Sequence, residues 1–308
     1  MTSQRSDIAF FETVDTFSQR RFNTALGFGL GTYATLSTGL YFAWYRQYPQ
    51  SSFRLFDDSG EWLDMDKGGH VYSAYFQSVI CYQGAKWTGL SEQKSILTGV
   101  LAAGLFQTTI EVMDGFSEEW GFSLPDVAAN TVGIATFAIQ QKYWGEQRLR
   151  FKVSTLPDRY PSFPITGSEG TVISSSDRTD DLFGSSYLET YLKDYNTQSY
   201  WLSCDIKSFL PEGNTWPDWL DFAIGYGGEN MYGGYTNTWQ QGSETFTVDA
   251  DLYPRTRQYF IGLDLDLTGI KTKNSFLSAL LRGLNIFRVP APALEINSRG
   301  EFTFHLLR

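Results

Sequence analysis

Residues 66–70 read Asp66-Lys67-Gly68-Gly69-His70, and His70 is one of only two histidines in 308 residues. Side chains four residues apart lie on the same face of a helix, so this stretch presents Asp66 and His70 side by side if a helix begins here. The residues that follow carry no charge until Lys86. A carboxylate and an imidazole at the start of such a helix predict a polar site inside a helix bundle.

Two further polar pairs follow at helical spacing. Glu111 and Asp114 are three residues apart at the end of a second apolar segment, and Asp126 and Asn130 are four apart at the start of a third. Each pair therefore also shares one helix face. Uncompensated carboxylates are costly to bury, and a metal ion or a closed hydrogen-bond network offsets that cost. We therefore expect the three pairs to converge within the bundle.

A metal site is one interpretation of these residues. Its ligands would be His70, Glu111, Asp114 and Asp126, with Asp66, Lys67 and Asn130 as a supporting polar cluster. One imidazole and three carboxylates suit one divalent ion, such as Zn, Mn, Fe or Ca, and no other cofactor is indicated. A metal-free polar network and a catalytic acid–base site stay open, and Asp126 could serve only as a helix cap. Glu111 and Asp114 fall at a helix C-terminus, where the macrodipole disfavours acids, and this favours a specific role.

The same residues carry a resemblance to a known family. The chain has D-K-x-x-H at 66–70, E-x-x-D at 111–114, and Trp120-Gly121-Phe122-Ser123 before Asp126 and Asn130. This pattern resembles the YfiM-like family of predicted periplasmic lipoproteins, which is itself distantly similar to VanZ-like membrane proteins. Long Bacteroidota members extend the resemblance over roughly residues 40 to 305, for example at Lys193-Asp194-Tyr195-Asn196. The resemblance implies a cell-envelope location, at the outer membrane or its periplasmic face, and no settled activity.

Composition agrees with an envelope protein. Aromatic residues make up 17% of the chain and charged residues 19%, against about a quarter charged in typical soluble domains. Low charge with many aromatics is typical of membrane-contacting surfaces and of large apolar cores. The net charge of −10 argues against nucleic acid, and against anionic lipid as the main partner. Cys81 and Cys204 lack CxxC spacing and are interpreted as free thiols, and no secretory signal is visible.

Apolar periodicity predicts four helices, at 22–46, 66–86, 91–114 and 124–144. Residues 22–45 are uncharged, a length that fits a membrane span, but five Ser and Thr residues dilute their hydrophobicity, so a buried bundle helix fits equally well. A helix-packing stripe of small residues, which lets a second helix approach closely, recurs at Gly27, Gly31, Thr35 and Gly39. Ser123 is expected to cap the fourth helix, with Pro125 in its first turn.

From about residue 148 the period changes from helical to two. Apolar and polar residues alternate at 200–207, 220–226, 261–268 and 302–306, which predicts antiparallel strands with one apolar face. A sheet packed against the helices and a small barrel both fit. We therefore predict an α+β fold, with a membrane-associated or membrane-embedded bundle of about four helices followed by an antiparallel β half. The predicted regions are an N-terminal arm at 1–21, a helical domain at 22–147 and a β region with long loops at 148–308.

Three functions are compatible with these features. The first is a non-enzymatic cell-envelope protein, a subunit of an outer-membrane assembly, with a buried polar or metal-binding cluster. Its partners would be other envelope or outer-membrane proteins and membrane lipid, and not nucleic acid. The second is a metal-dependent envelope hydrolase acting on a lipid or cell-wall substrate, which needs an open coordination position above His70, Glu111 and Asp114. The third is a small outer-membrane β-barrel protein.

Overall fold

The computed structural model describes residues 13–46, 48–155 and 162–308. The chain forms two compact units, each assembled from separate segments. The first unit comprises Met1–Asp58, His70–Arg148 and Leu267–Leu284. The second comprises Ser59–Gly69, Leu149–Asp266 and Asn285–Arg308. Residues 1–12 of the predicted N-terminal arm lie outside the described residues.

The helices match the predicted ones closely in the first unit. They are α1 Gln19–Leu40, which continues as a π-helical turn Tyr41–Tyr45, then α2 Met65–Trp87, α3 Glu92–Gly115, α4 Leu124–Tyr143, α5 Ser175–Phe183, α6 Tyr187–Lys193 and α7 Ser275–Leu284. The first four confirm the predicted helices to within three residues at either end, if the π-helical turn is counted with α1. The helix α1 begins at Gln19, so the last residues of the predicted arm are helical. The helices α5, α6 and α7 were not foreseen.

Serine side chains cap the first and fourth helices. Ser18 accepts a hydrogen bond from the backbone N–H of Arg21 at the start of α1. Ser123 accepts one from the backbone N–H of Asp126 at 3.1 Å, and Pro125 lies in the first turn of α4, as predicted. A capping hydroxyl satisfies a backbone donor that the helix cannot satisfy itself. The cap also fixes the position of Asp126 in the first turn of α4.

A glycine brings α2 and α4 into close contact. A Cβ atom added at Gly133 of α4 would lie 2.3 Å from the carbonyl oxygen of Val71 and 2.9 Å from the amide nitrogen of Tyr75. Both are backbone atoms, which cannot turn aside as the end of a side chain can. Gly104 of α3 is different, because the nearest atom to its added Cβ is Ile134 Cδ1 at 4.0 Å.

The two glycines give opposite predictions for the same substitution. We expect Gly133→Ala to lower the free energy of unfolding by about 1–3 kcal/mol, because the helices must separate to admit the methyl group. Gly104→Ala should raise it by about 0.5–1 kcal/mol, since alanine favours a helix and the site has room. Denaturant unfolding of the two variants measures both, and equal effects would show that α2 and α4 are not in close contact.

The second unit contains a six-stranded sheet and small two-stranded pairs. The strands of the chain are β1 Leu55–Phe56, β2 Phe122–Ser123, β3 Leu149–Thr155, β4 Pro164–Thr166, β5 Val172–Ser174, β6 Gln198–Cys204, β7 Leu220–Glu229, β8 Thr238–Gln241, β9 Glu244–Thr247, β10 Thr256–Leu265, β11 Ala293–Asn297 and β12 Phe302–His305. The order in the large sheet is β12-β11-β10-β7-β6-β3, with neighbours antiparallel. The pair β1–β2 is parallel and belongs to the first unit.

The sheet corrects the barrel prediction. Its edge strands are β3 and β12, which do not pair with each other, so the described strands form an open sheet. The strands predicted from alternation correspond to β6, β7, β10 and β12, while β3 and β11 were missed. The strand predicted to continue to residue 268 ends at Leu265, and Leu267–Gly269 form a 3-10 turn. The small-barrel interpretation of the β half is therefore wrong.

The two faces of this sheet differ in chemistry. One face buries an apolar cluster of Trp201, Ala223, Phe260 and Ala293 together with charged residues. On that face Lys152 Nζ lies 2.6 Å from Asp264 Oδ2, and both side chains are fully buried. The opposite face exposes apolar side chains, including Ile224, Ile261 and Phe304. The sheet therefore exposes the more apolar of its two faces. The sheet of a soluble protein usually buries that face.

A left-handed turn leads into α2. Trp62, Leu63 and Asp64 have φ angles of 49°, 56° and 64°, which side chains larger than glycine rarely adopt. The turn is held by Arg257, whose Nη1 donates to the Leu63 carbonyl oxygen at 2.7 Å and to Asp64 Oδ2 at 2.8 Å. A backbone conformation this unfavourable persists only where contacts from the surrounding structure hold it in place. The turn therefore fixes where α2 begins.

Asp221 lies in a charged network on the buried face of the sheet. Its Oδ2 accepts hydrogen bonds from Arg150 Nη1 and from Ser203 Oγ, each at 3.2 Å. Arg150 also pairs with Asp266 at 2.9 Å. Burial raises the pKa of Asp221 from 3.8 to about 7, against the opposing effect of Arg150. The ionised form of this side chain is therefore costly in the folded protein.

This pKa shift predicts a stability that falls as pH rises. The folded protein holds the proton on Asp221 more tightly than the unfolded chain does. The contribution of this proton to the free energy of unfolding is therefore largest below pH 4 and is lost by pH 7. Asp221→Asn keeps the Ser203 hydrogen bond and removes the titration. Because solvent screens part of the cost, we expect the variant to gain about 1–2 kcal/mol over wild type between pH 4 and pH 8.

Thermal unfolding across this pH range measures the difference. Asp251→Asn, at an exposed aspartate of the same unit, is the matched control for the loss of one carboxylate. A gain that does not change with pH would contradict the assigned titration.

Candidate polar site in the helical unit

Three helix ends meet at the candidate site. His70 lies in the second turn of α2, Glu111 in the last turns of α3, and Asp126 and Asn130 in the first turns of α4. Glu111 is 1% exposed and Asp126 and Asn130 are 5% exposed each. All four residues belong to the first unit. The structure therefore brings together at least one residue from each of the three predicted pairs.

The imidazole of His70 lies between two carboxylates. Its Nδ1 is 3.6 Å from Glu111 Oε1, and its Nε2 is 3.7 Å from Asp126 Oδ1. Nδ1 also lies 3.2 Å from Asn130 Oδ1, and an amide oxygen can only accept, so Nδ1 donates in this contact. Both carboxylate distances exceed an ordinary hydrogen bond. The ring therefore faces negative charge on both sides, and a positive charge at this position would stabilise both acids.

Glu111 is surrounded by donors. The backbone N–H of Ser123 donates to Oε2, and Asn130 Nδ2 donates to Oε1, each at 3.4 Å. The carboxylate lies at the C-terminal end of α3, where the helix already concentrates partial negative charge. Donors from α4 and from its cap offset this unfavourable placement. This position at a helix C-terminus is the signal in the sequence that favoured a specific role for Glu111.

Two residues of the cluster were not foreseen as site residues. Asp58 precedes α2 and accepts a hydrogen bond from Ser123 Oγ at 2.7 Å; it is 7% exposed. Ser123 was predicted only as a cap. Its N–H donates to Glu111, and its hydroxyl donates to Asp58 and accepts from the N–H of Asp126. No periodic pattern marks Asp58, because it lies outside the helices. The acidic run Asp57-Asp58 is the only local signal.

Asp114 and Asp66 have other partners. Tyr45, at the end of the π-helical turn after α1, donates to Asp114 Oδ1 at 2.7 Å, which attaches α1 to the end of α3. Asp66 belongs to the second unit, where Tyr195 donates to its Oδ1 at 2.9 Å and Lys67 pairs with its Oδ2 at 3.0 Å. Lys67 therefore neutralises a neighbouring carboxylate.

The small-residue stripe on α1 faces open space. No atom lies within 4 Å of a Cβ added at Gly27, Gly31 or Gly39, and Thr35 is exposed. In the part of the chain that the structure describes, no other helix packs on these glycines. Their role in helix packing stays a prediction about a partner outside this chain.

The donor set fits a divalent ion in type. An imidazole nitrogen, two carboxylates and an amide oxygen are ligands that Zn or Mn accept, and Ca accepts the oxygens. Metal–ligand bonds of 2.0–2.6 Å are shorter than the distances that separate His70 from Glu111 and Asp126. Because Nδ1 carries the proton that it donates to Asn130, an ion would bond to Nε2 beside Asp126, and Glu111 at the opposite nitrogen would not share it in the present arrangement. Without an ion, hydrogen bonds join His70, Asn130, Glu111 and Ser123, while Asp126 Oδ1 stays 3.7 Å from His70 Nε2.

Comparison with known proteins supports an envelope location. A family model described as "Predicted periplasmic lipoprotein (DUF2279)" matches residues 55–142, less than a third of the chain. The match includes every residue of the cluster from Asp58 to Asn130, so this segment is similar to an uncharacterised periplasmic lipoprotein family. The narrower resemblance to YfiM-like and VanZ-like proteins stays a prediction. No curated protein and no solved structure matches the chain.

Replacing His70 tests whether the cluster supports the fold and whether it holds an ion. His70→Ala leaves Glu111 and Asp126 buried beside each other, so we expect the free energy of unfolding to fall by about 3–5 kcal/mol. Thermal unfolding with and without a chelator separates the two cases. If chelation and the substitution each lower the melting temperature without adding, an ion is bound; if only the substitution acts, the network is metal-free.

The second histidine provides the matched control. His305 Nε2 lies 2.7 Å from Glu295 Oε2 in the other unit. His305→Ala should leave the response to chelator unchanged. If neither His70→Ala nor the chelator changes the melting temperature, the cluster does not contribute to the fold.

Proposed function

We propose that this protein is a non-enzymatic membrane protein of the cell envelope, whose helical unit lies in a bilayer and serves as a subunit of a larger assembly. The observation that carries the proposal is the distribution of charge along the four long helices. Their middle sections, at 22–45, 71–85, 95–110 and 127–141, contain no charged residue. Charged residues resume at the ends of every section. We call these four sections the uncharged belt.

Contacts within the unit define the two ends of the belt. Tyr45 donates to Asp114, so the C-terminal end of α1 lies beside the polar cluster. At the other end of α1, Arg21 Nη1 donates to the carbonyl oxygen of Trp87 at 3.2 Å. The belt therefore lies between the polar cluster and the opposite helix ends. Its shortest sections of 15 residues extend about 23 Å, and flanking aromatic and long basic side chains extend the span toward the ~30 Å of a hydrocarbon core.

The belt carries apolar side chains on its outer surface. Leu101 of α3 is 61% exposed and Phe28 of α1 is 78% exposed. Further exposed apolar residues of the belt are Leu26, Leu30, Leu36, Leu97, Leu105, Val132 and Ile139. Contiguous apolar surface of this extent marks a contact with membrane or with another protein. Among the described helices, α3 with its 24 residues is long and apolar enough to cross a membrane by itself.

The belt ends in aromatic residues. Tyr41 and Phe42 are exposed at one end, and Tyr143 and Trp144 are exposed at the other. Aromatic side chains of this kind favour the interface between hydrocarbon and water. Their position at both ends supports lipid rather than a protein groove as the main neighbour of the belt.

The stripe Gly27, Gly31, Thr35 and Gly39 supports the second part of the proposal. Small residues at intervals of four allow close approach of another helix inside a membrane. The stripe is exposed and unoccupied by other parts of the described chain. A helix of an envelope partner is therefore the proposed occupant, and the outer membrane or its periplasmic face is the proposed location.

A metal-dependent hydrolase is the second candidate, because His70 lies between Glu111 and Asp126. Hydrolysis at a metal requires an open coordination position and access for the substrate. The two carboxylates are almost fully buried, and only the imidazole is partly exposed, with 15% of its side-chain surface accessible. This enclosure favours a structural role for the cluster.

A charge placed on the belt tests the membrane proposal. Wild type should sediment with membranes, resist an alkaline carbonate wash and require detergent for release. Leu101→Arg should lower the inserted fraction, because an arginine at the centre of a membrane helix costs about 3 kcal/mol. Leu252→Arg, at an exposed leucine of the other unit, is the matched control and should behave as wild type. Wild type recovered as a soluble monomer without detergent would contradict the proposal.

The same detergent extracts test the assembly. Native size analysis should show wild type in a complex that Gly31→Leu disrupts while it remains in the membrane. An unchanged size for Gly31→Leu would remove the stripe as the subunit contact.

A further inference from the structure

The helix α7 has an arrangement of side chains that the uncharged belt does not explain. Phe276, Leu277, Leu280 and Leu284 lie on one face of the helix, by the spacing of 3.6 residues per turn. Ser275, Ser278 and Arg282 lie on the opposite face. The separation of polar from apolar residues is therefore nearly complete over ten residues.

The apolar face of α7 is the face that is exposed. Phe276, Leu277, Leu280 and Leu284 are 56%, 40%, 44% and 43% exposed. No residue of α7 is buried. An amphipathic helix of a soluble protein normally turns its apolar face to the core. Ten residues extend only about 15 Å, so α7 is too short to cross a bilayer and suits a position along its surface.

The charge around α7 is opposite in sign to that of the whole chain. The chain has a net charge of −10, yet no acidic residue occurs between Asp266 and Glu295. Lys271 and Lys273 precede α7, and Arg282 lies on its polar face; all three are exposed. Basic residues beside an apolar helix face are the pattern of helices that lie in the interface of anionic membranes. At physiological ionic strength, screening limits the repulsion from acidic residues more than about 8–10 Å away.

The start of α7 is defined within the chain. Asn274 Oδ1 accepts a hydrogen bond from the backbone N–H of Leu277 at 3.1 Å. This cap stabilises the first turn by satisfying a backbone donor. The helix is therefore formed before any contact with a partner, and binding need not supply the cost of ordering it.

We infer that α7 lies in the headgroup region of an anionic bilayer, with Phe276, Leu277, Leu280 and Leu284 in the acyl boundary and Lys271, Lys273 and Arg282 at the lipid phosphates. The inference rests on the proposed membrane location, although it uses a different element of the chain. Anionic lipid is favoured over a protein partner because the exposed apolar face and the local positive charge occur together. The whole-chain charge made anionic lipid an unexpected main partner, and the local charge makes it the specific partner of this helix.

Site-directed labels on the full chain test this inference. Cys81 and Cys204 are replaced by Ser, and single cysteines are introduced as Leu280→Cys, Ser278→Cys or Leu101→Cys and labelled with a fluorophore. Each protein is reconstituted into phosphatidylcholine vesicles or into vesicles of equal parts phosphatidylcholine and phosphatidylglycerol. Quenching by spin-labelled lipid reports contact with the bilayer, and quenching by iodide reports contact with water. Each labelled protein must first show the melting temperature of wild type.

We expect spin-labelled lipid, and not iodide, to quench the label at position 280. At position 278 we expect iodide, and not spin-labelled lipid, to quench the label. The ratio of bilayer-facing to water-facing label at 280 should be higher in the anionic vesicles and should fall at high salt. Replacing Lys273 and Arg282 by Gln should lower that ratio about 25-fold, at about fivefold for each charge. Replacing Lys193 and Lys207 by Gln, in the other unit, controls for the total charge.

Three results would overturn the inference. Iodide quenching at 280 in both kinds of vesicle would place the apolar face in water. Protection from both quenchers would show that protein covers this face. Equal lipid contact in neutral and anionic vesicles would remove the anionic headgroups as its partner.

The label at position 101 keeps the two proposals distinguishable. A label at 101 in lipid with the label at 280 in water contradicts the inference and leaves the proposed function intact. The reverse result contradicts the uncharged belt as a membrane segment and leaves the contact of α7 with the bilayer surface intact.

Discussion

The carboxylate of Glu111 is buried at the C-terminal end of α3, where the unpaired carbonyl groups of the helix already concentrate negative charge. An acid in this position is stable only if donors are brought to it from elsewhere in the chain. The donors are the backbone N–H of Ser123 and the side chain of Asn130, and the imidazole of His70 lies on the third side. The start of α4 and the position of His70 on α2 both contribute to satisfying this one carboxylate, and Ser123 connects it to Asp58.

This constraint explains why the polar cluster coincides with the cap of α4. Ser123 holds Asp126 at the first turn through its hydroxyl, while the same hydroxyl donates to Asp58. Gly133 lets the backbone of α4 approach α2 two turns further on. The cap of α4 and the close packing of α2 on α4 together place His70 between Glu111 and Asp126. A buried polar network of this kind adds specificity to the helix arrangement, since a shift of any one helix separates a charge from its partner.

Each unit, considered by itself, distributes polarity in its own way. In the helical unit the charges occur at the helix ends, and the surface between them is apolar. In the β unit the charged pair Lys152–Asp264 is buried on one face of the sheet, and exposed apolar residues occupy the other. The common physical consequence is a large apolar surface on a chain of low charge. This feature accounts for the low charge and high aromatic content of the chain, and the family match over residues 55–142 agrees with an envelope location.

The sequence by itself determined the α+β class, the four long helices and the polar residues on their faces. Helical spacing is a local property, so His70, Glu111, Asp126 and Asn130 could be chosen without knowledge of the fold. The tertiary structure alone decided that Asp58 joins the cluster, because a residue in a loop has no period. It also decided that Asp66 accepts a hydrogen bond from Tyr195 within the second unit. The strand β3 was missed because its inward side chains are Arg150 and Lys152, which do not resemble a buried pattern. The open sheet, too, depends on which strands pair across long separations in the chain, and alternation within a strand carries no information about its neighbours.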